Sequence, residues 1–67
     1  MDSKLQSIKK RIFRNAKPEV RNYLSKLDAF CSPAAFWYSA WHEGLCSMQE
    51  LKLAKQYYSE QWYYAGD

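Results

Sequence analysis

Between Ser32 and Tyr64 the chain carries two helix-start signals and one helix-stop signal, and nine of its twelve Trp, Tyr and Phe side chains. Ser32-Pro33 reads as an N-cap followed by a first helical residue: the hydroxyl can accept from an orphan N–H, and proline lacks the donor that would go unpaired there. Gly44 suits the left-handed conformation that ends a helix, and Leu45 after it can fold back as the hydrophobic contact of the cap. Ser47 to Glu50 then has the S-x-x-E form of a capping box. With only Leu45 and Cys46 between stop and start, the two helices must form a tight hairpin.

Two more helices precede the hairpin. From Ser3 to Ala16, Leu5, Ile8 and Ile12 recur at helical spacing, and Phe13 and Ala16 widen the stripe. Lys17-Pro18 interrupts this pattern, because the residue before proline is pushed out of the α region while proline suits a first turn. From Pro18, Val20, Tyr23, Leu24, Leu27, Phe30 and Cys31 alternate by three and four, as in a seam that packs against neighbouring helices. The expectation is an all-α, compact four-helix domain with short loops and an aromatic-rich C-terminal hairpin, with helices near 3–16, 18–31, 33–43 and 48–64. The second helix reads as the best core helix.

At 67 residues the chain is expected to be a single domain, 1–67, near the lower limit of independent folding. Residues 1–31 carry eight Lys and Arg against three acids, and residues 32–67 carry two against four, so a +5 half joins a −2 half to give +3. The surplus sits on the first helix, where Lys9, Lys10, Arg11 and Arg14, continued by Lys17, form a basic face with no acid inside it. Such a face seeks an anion: phosphate of a nucleic acid, or an acidic protein.

Catalysis is not expected. His42-Glu43 is the only adjacent acid/base pair, with no nucleophile or oxyanion donors to complete it. Cys31, His42 and Cys46 match no zinc-finger spacing, so no metal or cofactor is expected either. Two cysteines, with no signal-peptide pattern ahead of them, fit a reduced, cytoplasmic protein. The longest mostly apolar run, Pro33 to Trp41, is too short for a bilayer.

On the fourth helix, at about 100° per residue, Leu51, Ala54, Tyr58, Trp62 and Ala65 share one stripe, and Leu53, Tyr57 and Tyr64 share a second. Tyr63 belongs to neither. A small bundle cannot cover the whole circumference, so Leu53, Tyr57, Tyr63 and Tyr64 are the expected protein-binding residues of a non-catalytic regulator or adaptor, whose partner is another protein or a second copy of the chain. The alternative is a nucleic-acid binder using Lys9, Lys10, Arg11, Arg14 and Lys17.

The hairpin carries two loose resemblances. Ala40, Gly44, Leu45, Ser47 and Leu51 resemble the turn of a helix-turn-helix with one residue too many. Trp41, Gly44, Ala54, Tyr57 and Tyr58 resemble one unit of a Sel1-type or tetratricopeptide repeat, over about a third of the chain. Cys46, Gln61 and Trp62 depart from the small residues that repeat requires, and a lone unit has no stacked groove. Two incompatible patterns on one hairpin assign no family.

Overall fold

The computed structural model describes residues 3–62, and the expected contacts Tyr63 and Tyr64 therefore lie outside the described residues. Four helices follow in order, α1 (Ser3–Asn15), α2 (Pro18–Phe30), α3 (Pro33–His42) and α4 (Met48–Tyr57), with one 3-10 turn over Ser59–Gln61. The first three match the sequence reading to within a residue at their ends. Helix α4 is shorter than expected by about two turns.

The boundaries have local causes. Lys17 and Ser32 both hold the extended backbone that precedes proline, with ψ of 156° and 159°. The Ser32 hydroxyl makes no cap bond; its carbonyl instead receives the first turn, from the Ala35 and Phe36 N–H groups. Helix α3 ends in a Schellman motif. Gly44 sits at φ 74°, its N–H reaches the Trp41 carbonyl at 2.9 Å, and the Leu45 N–H reaches the Ala40 carbonyl at 2.9 Å. Ser47 and Glu50 form the reciprocal capping box: the Glu50 N–H donates to Ser47 Oγ at 3.1 Å and the Ser47 N–H to Glu50 Oε1 at 3.0 Å.

Helix α3 is the centre of the packing, lying against both α2 and α4. Its Ala34, Phe36, Trp37 and Ala40 are all buried. Phe36 and Trp37 meet edge to face at 5.4 Å, and Phe13 of α1 lies 5.6 Å from Phe36. Aromatic pairs in this arrangement contribute about 0.5–1.5 kcal/mol beyond the area they bury. Leu5, Ile8 and Ile12 of α1, Leu24 of α2, Cys46 of the connecting turn and Leu51 and Ala54 of α4 complete the core. The radius of gyration, 10.9 Å, equals the roughly 11 Å expected of a folded chain this long.

Two expectations are corrected. Helix α2 is not the best core helix: Leu24 alone is fully buried, Val20 and Leu27 are partly covered, and Tyr23, Phe30 and Cys31 are exposed. Helix α1 places three residues of its apolar stripe, Leu5, Ile8 and Ile12, in the core. Only the Leu24 side of α2 is fully covered; Val20 and Leu27 lie at the margin of the bundle, and Tyr23 and Phe30 lie outside it.

Helix α4 stops at Tyr57, not near Tyr64, although Tyr58–Gln61 contains neither Gly nor Pro. Helices α3 and α4 each have ten residues, about 15 Å, and run antiparallel through a short turn. Continued as a helix, α4 would pass the start of α3 and carry Trp62 into solvent. Instead the backbone turns at Tyr58, and Trp62 comes back onto α3, its ring 5.8 Å from that of Tyr38.

Candidate functional site

Helix α4 turns its Leu51 and Ala54 stripe into the core, with Tyr58 and Trp62 partly buried behind them. The second stripe lies at the edge of the bundle. Leu53 is half-buried, and Tyr57 keeps 48% of its surface exposed. Between them and the start of α1 lies a groove of about 240 Å³, lined by Lys4, Leu5, Leu53, Gln56 and Tyr57. The Tyr57 ring meets Tyr58 edge to face at 4.8 Å, and Tyr58 packs on the core. Tyr57 is therefore braced from behind while its outer face is open. Such an aromatic contributes contact area at low entropic cost, because few rotamers remain to be lost on binding.

The five basic candidates do not share one fate. Lys9 and Arg11 flank the apolar stripe of α1 on opposite sides and are taken up by acids from other helices. Lys9 Nζ donates to Asp28 of α2 at 2.9 Å and lies 5.3 Å from the centre of the Phe36 ring. Arg11 holds Glu50 of α4 with both guanidinium arms, at 2.9 and 2.6 Å, and points one arm towards the Leu45 carbonyl at 3.4 Å. The Arg11 hydrogen bonds hold the Glu50 carboxyl below the usual carboxylate range, assisted by the Ser47 N–H, and Glu50 in turn raises Arg11. Lys10, Arg14 and Lys17 are exposed. A third arginine works inside the fold: Arg21 of α2 donates to the Phe13 and Ala16 carbonyls at 3.0 Å each, closing the C-terminal end of α1.

The cysteines do not come together. Cys31 is exposed at the end of α2, whereas Cys46 is buried with its Sγ 4.0 Å from the Trp37 carbonyl. Burial pushes the Cys46 thiol up to about 11, and the nearby Glu50 charge adds to this against a smaller opposing effect of Arg11. Cys46 is thus a small core residue, protonated at neutral pH. Among the described residues, no three His, Cys, Asp or Glu side chains gather where they would hold a metal ion. His42, in the last turn of α3, is exposed, with its ring 5.3 Å from that of Trp41.

Sequence reasoning missed the aromatics that are most exposed among the described residues. Tyr23 is 56% and Phe30 85% exposed, seven residues apart on one face of α2. The signal was present: Val20, Tyr23, Leu27 and Phe30 follow a three-four alternation that Leu24 does not share, so one helix carries two adjoining apolar stripes. Only one was needed for the core.

No family model, no curated protein and no solved structure matches this chain.

Proposed function

We propose that this chain is a small non-catalytic regulator or adaptor that acts by protein–protein contact, with Tyr57 and Leu53 of α4 as the centre of its binding surface. The observation that carries this reading is the half-exposed, braced Tyr57 ring beside the groove that Leu53, Gln56, Lys4 and Leu5 line. Tyrosine combines a large apolar face with a hydroxyl that tolerates water, which suits a surface that is wet when free and covered when bound. Tyr23 and Phe30 support the same mode of action, since exposed aromatic area on so small a protein is costly unless a partner covers it. The partner is another protein or a second copy of the chain.

Sedimentation equilibrium of the pure protein, together with capture of partners from source-cell lysate at low and high salt, tests the proposal. Tyr57→Ala, with its fold verified by circular dichroism, is expected to weaken self-association or capture at least tenfold, with little dependence on salt. If both are unchanged in the folded variant, the α4 surface is not the binding site.

A further inference from the structure

The outward face of α1 is polar and basic. Ser3, Ser7, Lys10 and Arg14 follow one another at spacings of four, three and four residues, so they form a single line on the side opposite Leu5, Ile8 and Ile12. All four are exposed. The line is about 16 Å long at 1.5 Å per residue. Helix α1 contains no acid, and among the described residues the acids paired with it, Asp28 and Glu50, are engaged by Lys9 and Arg11 on its flanks. The ion pairs thereby take up Lys9 and Arg11, while Lys10 and Arg14 stay exposed on the crest.

We infer that this crest binds the phosphodiester backbone of a nucleic acid, without reading its sequence. The inference concerns a different face from the Tyr57 groove and does not depend on that reading. Lys, Arg and Ser are side chains that donate to phosphate oxygens, and such contacts require no apolar burial. An acidic protein partner fits less well. Protein interfaces are centred on desolvated, usually aromatic or apolar anchors, and the crest of α1 offers none. No aromatic side chain stands in the line to stack on a base, so the contact tracks backbone alone.

The test is fluorescence anisotropy of a labelled, mixed-sequence DNA duplex titrated with the full chain from 10 to 150 mM NaCl. Two cations on the crest predict a slope of log K against log salt near −2, at about 0.9 per phosphate neutralised. The Lys10→Glu/Arg14→Glu double variant alters only exposed side chains and is expected to lose at least tenfold in affinity at 10 mM NaCl and most of the salt slope. Lys52→Glu/Lys55→Glu on α4, with the same change in net charge, is expected to stay within about twofold of the parent. Polyglutamate at equal charge concentration is expected to compete poorly. Absence of binding at 10 mM NaCl, equal losses in the two double variants, or full competition by polyglutamate would each overturn the inference, the last by showing that the crest senses charge alone.

Discussion

The contact most open to a quantitative test is the clamp between Arg11 and Glu50. It joins α1 to the first turn of α4 by two charge-assisted hydrogen bonds, and the same carboxylate closes the capping box on the Ser47 N–H. The side chains keep 39% and 22% of their surface, so solvent screens the pair and a buried-pair energy does not apply. Exposed pairs contribute about 0.2–1 kcal/mol, and the two-armed geometry places this one at the top of that range, about 1 kcal/mol. At about 2.1 cal/mol/K per residue, unfolding a chain of 67 residues has an entropy near 0.14 kcal/mol/K, so the loss is worth about 7 °C in melting temperature. Arg11→Met keeps the stem and removes the fork; Glu50→Gln keeps an acceptor for the capping box and removes the charge. A double-mutant cycle by thermal melts at pH 7 should return a coupling of about 1 kcal/mol. Because the folded Glu50 value is lowered, its contribution is fully present above the unfolded carboxylate value of about 4.3 and is lost as pH falls through the lower folded value. The parent should therefore lose more stability than Glu50→Gln between pH 6 and pH 3. A coupling under about 0.3 kcal/mol, with parallel pH profiles for the two proteins, would refute the reasoning.

Two further predictions concern the ends of the hairpin. Gly44→Ala should cost about 1–2 kcal/mol in urea unfolding with an unchanged m-value, because the added Cβ meets nothing within 4 Å and the whole penalty is the left-handed backbone at φ 74°; Gly44→Asn should cost less, and equal losses for the two would contradict a backbone origin. At the other end, the Trp62 indole N–H is buried without an acceptor among the described residues. Trp62→Phe should therefore be neutral or gain up to about 1 kcal/mol, while Trp62→Ala, which also abandons the Tyr38 ring, should lose about 1–2 kcal/mol. A Phe variant as unstable as the Ala variant would mean that the N–H is satisfied after all.

What could be read from sequence, and what could not, divides by the range of the cause. Pro18, Pro33, Gly44 and the Ser47–Glu50 box act within a turn of themselves, and the helix starts and the hairpin follow from them directly. The end of α4 has no such local cause. Leu51, Ala54, Tyr58 and Trp62 keep helical spacing through the break, so the pattern alone extends the helix; the length of α3, set by Pro33 and Gly44, is what makes the extension unprofitable. The charges show the same division. That Lys9 and Arg11 are basic is visible at once, but their acids stand 19 and 39 residues away, and only the packed bundle brings them together.

The division also explains why α2, read from sequence as the best core helix, is less deeply buried than α1. Both are amphipathic, and at 100° per residue their apolar arcs are of similar width, about 140° on α1 with Phe13 and about 120° on α2, so width does not separate them. Leu5, Ile8 and Ile12 are buried, and the basic residues beside them, Lys9 and Arg11, are long enough to reach acids on α2 and α4. On α2 the residues beside Tyr23 and Phe30, Glu19 and Lys26, stay exposed, and with Leu24 covered by the rest of the bundle Tyr23 and Phe30 face outward. The number of apolar residues on a helix therefore does not determine how deeply it is buried in a chain this small. What decides is whether its polar flanks find partners, and on α1 they do so at both edges while leaving Lys10 and Arg14 at the crest with an outward charge that no helix of the fold opposes.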